Sequence, residues 1–417
     1  MRGNSSKRSW AEAGAYLAAA FILGGCAAKP LADTAPWSTQ LFSESRTNLS
    51  SAEVSLPLAV SWEKDISDFR LLRPFPKEQL SAPALHGGLL YVGSTNDRFY
   101  AVDLSTGRVK WRYHARQPVE ASPAVTGEMV CFGSADGVMR CLDHSGKVLW
   151  EYQARSEILS SPVVSGGRLF FNSQDDRVHA LNAGTGKREW TYSRATYTVV
   201  SPRIYGSPAY SRAYSQENSD GGALFFLFSD GYLVSLDAGT GNEAWSRQVI
   251  KGFDKAGKWR RSPLYQDGTV FVIDGNEAVQ ALDAATGEVK GVYSIIKARD
   301  FIVPDKKSIV LVGETDIVAL DRLSGAILWK KKLSTGAASS VFASGGELFV
   351  LSSFKKAFLG LGFLSRDKGH IEAISLRDGS TSWTATLGSD ISANASSAYS
   401  RVALLTNKGK LTVFEPK

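Results

Sequence analysis

Ala281-Leu282-Asp283-Ala284-Ala285-Thr286-Gly287-Glu288-Val289-Lys290 decides the fold because it is not unique. Ala101-Val102-Asp103-Leu104-Ser105-Thr106-Gly107-Arg108-Val109-Lys110-Trp111 has the same plan, and so has Ser235-Leu236-Asp237-Ala238-Gly239-Thr240-Gly241-Asn242-Glu243-Ala244-Trp245. A short apolar strand, a turn built on Asp and Gly, and a strand reaching a Trp recur along most of the chain. Self-similarity at a near-constant period is the signature of a repeat fold. Asp283 taken alone resembles a catalytic carboxylate. Repeated, it reads as a turn cap: a short carboxylate accepts the N–H groups of the following turn, and the Gly permits φ > 0.

The Trp positions are Trp62, Trp111, Trp150, Trp190, Trp245, Gly291 (where the Trp is lost), Trp329 and Trp383. A basal spacing near 40 residues fits one four-stranded propeller blade per repeat. Eight markers predict an all-β, eight-bladed β-propeller of four-stranded antiparallel blades over residues 58–417. Seven markers follow their own turn: Asp103…Gly107, Asp143…Gly146, Asn182…Gly186, Asp237…Gly241, Asp283…Gly287, Asp321…Gly325 and Ser375…Gly379. Trp62 follows none. Its missing strands lie at the other end, over 398–406 and 409–414, so the first strand of the domain is expected to complete the last blade. Such closure leaves no open sheet edge.

The chain has 417 residues and a net charge of +7, part of it from Arg2, Lys7 and Arg8. That bias is too mild for a nucleic-acid footprint. Three Cys without C-x-x-C spacing argue against zinc and thioredoxin-type chemistry. The five His are spread along the repeats with no pair at ligand spacing, and no G-x-S-x-G, H-E-x-x-H or Walker loop occurs, so no catalytic or metal residue is assigned. Cys131 and Cys141 flank one hairpin. Export would permit a disulfide, but cross-strand geometry often suits it poorly, and two packed thiols are expected.

Residues 1–25 read as an export signal, with a basic start and an apolar run from Ala13 to Gly25 too short to span a bilayer well. Leu23-Gly24-Gly25-Cys26 resembles the bacterial lipobox, which implies lipidation of Cys26. Ala27, with no acidic residue, resembles an outer-membrane sorting pattern. Residues 26–57 then read as the lipidated Cys and a tether, Ser-, Ala- and Pro-rich and partly ordered at most.

In a repeat protein, departures from the period carry function. Naming the strands of each blade A to D from the axis outward, the D-to-A and B-to-C connections share one face. Connectors 191–206 and 246–261 and the swollen B-to-C loop 353–369 all fall there. The first holds Val199, Val200, Ser201, Arg203 and Tyr205. The second holds Lys258, Trp259 and Arg260. Aromatic and Arg side chains in irregular segments suit a protein interface; a solvated loop whose aromatics fold back on the blades is the alternative. Loop 353–369 places an apolar run between Lys residues, fit for a partner or membrane surface, or for a self-packed hairpin.

The repeat Ala-Leu-Asp-x-x-Thr-Gly-x-x-x-Trp resembles the pyrroloquinoline-quinone-type propeller repeat. Eight copies after a lipobox, a closing strand at the C-terminus and Asp300-Phe301-Ile302-Val303 opening the sixth blade resemble the BamB family of outer-membrane assembly lipoproteins. The resemblance implies a non-enzymatic, cofactor-free subunit of a hetero-complex, lipid-anchored on the periplasmic face of the cell outer membrane. It implies that the two connectors bind a periplasmic POTRA domain of a BamA-like partner. Val200-Ser201-Pro202-Arg203 stands where the family has Leu-Ser-Leu-Arg, with Pro202 departing. Lys258 and Arg260 stand where it has an acidic pair, a charge reversal. Two alternatives remain: another cell-envelope ligand, protein or polysaccharide, and a quinoprotein dehydrogenase using quinone and Ca²⁺, against which the missing vicinal Cys pair speaks.

Overall fold

A computed structural model of the chain describes residues 43, 45–50, 53–66, 78–194, 206–212, 222–251, 262–358 and 361–417, with backbone only at 357–358 and 361–365. Eight four-stranded antiparallel blades form a ring, one of them carrying a short fifth strand, and the described residues contain no helix. Blade 1 shows the pattern: strands A to D are Ala84–His86, Leu89–Ser94, Arg98–Asp103 and Val109–His114. Strands B and C are buried along almost their whole length, because a neighbouring blade covers each face. Strand D is outermost and alternates exposed with half-buried residues. Blade 8 is closed as expected: Leu58–Asp65 pairs antiparallel with Lys410–Pro416, outside Arg401–Leu405 and Ser396–Ala398.

The repeat motif proves to be the joint between blades. Six of the repeat Trp indoles donate their N–H to the first carbonyl after the cap position of the next blade's C-to-D turn. Trp62 reaches Leu104, Trp111 His144, Trp150 Ala183, Trp190 Ala238, Trp245 Ala284 and Trp329 Leu376, all at 2.8–3.1 Å. Trp383 reaches Leu58 at 3.1 Å, sealing blade 7 to the strand that closes the ring. The turn Gly lies flat under the indole: a Cβ on Gly287 would come 2.7 Å from the Trp245 ring, and its φ is +71°. The cap works as the sequence implied. Asp283 accepts from Ala285 and Thr286 N–H at 2.8 and 3.0 Å, and Lys290 with these donors holds its carboxyl below the usual range.

At Gly291 the indole is missing, and nothing lies within 4 Å of a Cβ placed on Gly325. Two residues on, Tyr293 Oη donates to Arg322 O at 3.0 Å, the carbonyl an indole would have used. Serines weld the inner strands. Ser122, Ser161, Ser207 and Ser262 hydroxyls each accept the N–H of the preceding blade's opening residue, at 2.8–3.1 Å. Each of these serines precedes a proline, Pro123, Pro162, Pro208 or Pro263.

Cys131 and Cys141 form a disulfide rather than the expected pair of free thiols. They are directly opposed in the register of strands B and C of blade 2, with Cα atoms 4.1 Å apart, so both side chains enter the same blade-to-blade layer.

Residues 45–50, within the stretch that the sequence assigns to a tether, lie inside the ring. Leu49–Ser50 adds a short parallel strand to strand A of blade 7, pairing with Ala343 and Ser344. Arg46 and Asn48 are 1% and 2% exposed. Next to blade 7, Asp300 opens strand A of blade 6; its carboxylate accepts from the N–H groups of Phe301 and Val341, and burial pushes it up to about 7.

Two predictions follow from this packing. Gly287→Ala and Gly325→Ala meet the same positive φ, but only the first meets an indole. Gly287→Ala should cost about 1–3 kcal/mol more in urea unfolding. For Asp300 the folded state holds a proton that the unfolded carboxyl, with its ordinary value near 3.8, has lost. Stability is therefore full below pH 4 and falls as pH rises toward 7. Asp300→Asn keeps the acceptor and removes the charge. Its melting temperature should rise relative to wild type on going from pH 5 to pH 8.

Candidate interaction face

The D-to-A connectors and B-to-C hairpins meet on one face as inferred, tied by backbone hydrogen bonds. Ala115 and Val119 donate to Asp97 and Ser94, Ala154 and Ile158 to Gly137 and Ser134, and Ala298 to Glu277, at 2.7–3.1 Å. The proposed contact residues Val199, Val200, Ser201, Arg203, Tyr205, Lys258, Trp259 and Arg260 lie outside the described residues, as does Cys26. Their roots are described.

The first long connector leaves from Arg194. Its Nε donates to Asp230 at 2.7 Å, and its guanidinium lies 4.3 Å from the Tyr232 ring centroid. Tyr192 Oη donates to Glu243, and burial with that carboxylate pushes the phenol up to about 12. Asp176, on the blade 3 hairpin, accepts from Ser229 Oγ and N–H on the blade 4 hairpin. Burial pushes its carboxyl up. The second connector leaves after Val249 and Ile250, both buried and both donating to Gly231 O at 2.9 and 3.0 Å. A Cβ on Gly231 would come 2.2 Å from Ile250 O, so only Gly permits this root. Both connectors therefore spring from rigid, adjacent footings on blades 3 to 5.

The third departure is a long hairpin. Strands B and C of blade 7 run Glu347–Phe358 and Leu361–Ser375. Strand A pairs with strand B only as far as Ser353, and strand D with strand C only from Gly369. Residues 354–358 and 361–368 thus pair as a two-stranded ribbon beyond the blade, with Lys355, Lys356, Arg366 and Asp367 exposed at its base.

Two side-chain groupings were not visible in sequence. His86 and His144, on different blades, stack with ring centroids 5.5 Å apart. Both His144 nitrogens are engaged, by Tyr91 Oη at 2.7 Å and Thr126 O at 3.1 Å. On the connector face, Ser334 Oγ lies 3.2 Å from His370 Nε2 and donates to Glu372 at 2.7 Å. A nucleophile relay needs the acid behind the imidazole. Here it holds the serine itself, and Glu372, fully buried, also binds Thr381 and Lys331. The grouping is a structural clamp. The alternating spacing of His370 and Glu372 along strand C was its only sequence signal. Among the described residues no group of three or more His, Cys, Asp or Glu is placed to hold a metal.

A quinone and Ca²⁺ would need an open, acid-lined axis. The residues present fit that group poorly: Arg46 and Asn48 of the same chain fill the axis, and the two cysteines of blade 2 are paired across strands rather than adjacent in sequence.

Comparisons with known proteins find both BamB proteins and dehydrogenases. BamB of Nitrosomonas eutropha is 24% identical over 51% of this chain and 49% of its own length. BamB of Yersinia pestis is 25% identical over 65% and 58%. The chain thus matches about half of these relatives' length. A polyvinylalcohol dehydrogenase of Pseudomonas is 31% identical, over 37% of this chain and 19% of that enzyme. The crystal structure of BamB from Moraxella catarrhalis superposes with a TM-score of 0.64 at 16% identity, covering 86% of this chain and all of that one. Quinohemoprotein alcohol dehydrogenase from Comamonas testosteroni superposes equally well, TM-score 0.67 at 13% identity over 91% and 80%. Both likenesses show the propeller fold alone. The family model described as "Outer membrane protein assembly factor BamB" matches residues 59–156, 132–312 and 298–417, nearly the whole propeller. The chain belongs to the BamB family of outer membrane protein assembly factors.

Proposed function

We propose that this chain is a non-enzymatic periplasmic scaffold of the outer-membrane β-barrel assembly machinery. It is held to the outer membrane by lipid on Cys26, and docks a BamA-like POTRA domain through the D-to-A face. The observation that carries the reading is the gathering of both long connectors onto adjacent rigid footings of one face, in a propeller of the BamB family. Its mechanism is presentation and orientation. Rooted connectors lose little conformational freedom on binding, which favours affinity for a given contact area. Lys258 and Arg260 make this contact basic where the family pattern is acidic, so the partner surface is expected to be acidic. The Cys131–Cys141 disulfide supports an oxidising compartment such as the periplasm.

The dehydrogenase relatives motivate a second reading, quinone-dependent oxidation. The filled axis weighs against it.

Three outcomes are expected. Pull-down of the native lipoprotein recovers barrel-assembly components, and Arg203→Glu or Lys258→Glu/Arg260→Glu cuts recovery at least tenfold. No recovery, together with inert variants, would sink the reading. Cys26→Ser releases the protein from the membrane fraction to the soluble periplasm. The purified chain, given quinone and Ca²⁺, reduces no dye with alcohol substrates; turnover would favour the second reading.

A further inference from the structure

The axis of the ring is occupied by a segment that behaves as a bound peptide. Arg46 sends its side chain toward the opening residues of blades 3 and 4. There Nε donates to Pro208 O at 3.0 Å, and one terminal nitrogen donates to Ser161 O at 2.9 Å and Pro162 O at 3.5 Å. Those carbonyls open the innermost strands, at the serine weld that joins blade to blade. The rest of the segment is held through its backbone and its short polar side chains. Ser45 Oγ donates to Tyr210 O at 2.9 Å, and Ser45 O accepts from Tyr265 N–H at 3.0 Å. Asn48 Nδ2 donates to Val341 O, Asn48 O accepts from Ala343 N–H at 2.9 Å, and Ser50 Oγ donates to Ser397 O at 3.1 Å. Blades 3, 4, 5, 7 and 8 all contribute.

Arg46 has φ of 61°, a left-handed conformation that a long side chain other than glycine or asparagine seldom adopts, whereas Asn48, at 56°, tolerates it. At Arg46 the seat contributes to the backbone conformation of the segment. A planar guanidinium, weakly hydrated and carrying forked donors, matches a cradle of fixed carbonyls where a hydrated ammonium does not.

We propose that the propeller axis carries a guanidinium-recognition site, built from the main-chain carbonyls of blades 3 and 4, whose ligand is an arginine presented by a peptide segment and which residues 45–50 fill in cis. The seat gives the N-terminal arm a second attachment, at the axis, besides strand D of blade 8 at the rim. While seated, the segment closes the axis to other ligands. The inference is independent of the partner and lipid assignments above.

Tyr265 and Ala343 amides report occupancy directly, because Ser45 O and Asn48 O accept from them. Hydrogen exchange is measured at these two amides in the full chain, with Val178 in the blade 3 sheet as reference. Arg46→Ala should speed exchange at Tyr265 and Ala343 at least tenfold and leave Val178 unchanged. Millimolar methylguanidinium should slow both again, and methylammonium should not. Should Arg46→Ala fail to fold, Arg46→Lys keeps the charge without the fork and should speed the same amides. Unchanged exchange in these variants, or equal rescue by methylammonium, overturns the proposal.

Discussion

The ring depends on one contact made repeatedly, the indole of one blade seated on the turn of the next. It joins three requirements. The turn must present a free carbonyl to the indole N–H, its Gly must hold a positive φ, and that Gly must lack a Cβ so that the ring can lie flat. The Asp or Asn cap binds the turn's own N–H groups and leaves the carbonyl for the neighbour. One motif thus satisfies a blade internally and attaches it externally. Where the indole is lost at Gly291, Tyr293 supplies a hydrogen bond to the equivalent carbonyl without the stacked ring.

Because the joints lie along the outer strands on the C-to-D side, the opposite face is free to vary. Its connectors need only return to the serine weld at the start of each strand A, and the chain between may lengthen without disturbing the ring. Arg194 with Asp230 and Tyr232, and Val249–Ile250 on Gly231, show how variable segments are given stiff ends. A scaffold that works by orientation requires that division: a ring that tolerates no slack and loops rooted in it that can differ.

The axis shows a second division. In an eight-bladed ring the innermost strands leave a channel, and an unfilled channel exposes backbone polar groups. Here the chain fills it with Arg46, Asn48 and Ser50, whose donors satisfy carbonyls of the inner strands. A cationic side chain is tolerated there because main-chain oxygens surround it; burial still lowers its pKa to about 9, leaving it charged at neutral pH.

The sequence by itself determined the strand class, the number of blades, the closing strand and the face on which long connectors gather. Each is written in a local pattern that the backbone must obey: period-two alternation, a capped turn, a Gly at positive φ, a fixed repeat length. It also identified the capping role of the Asp residues, because repetition excludes a unique site. Only the tertiary structure decided contacts between residues with no shared period. The seat of Arg46 spans 115 and 162 residues of chain, and the parallel strand of the same segment, Leu49–Ser50, is too short to leave a pattern. The Cys131–Cys141 bond depended on pair register, and the stacking of His86 on His144 on how two blades abut. Such contacts are set by ring closure, which brings distant segments together at the axis and the joints, and no local stretch encodes what it will meet there.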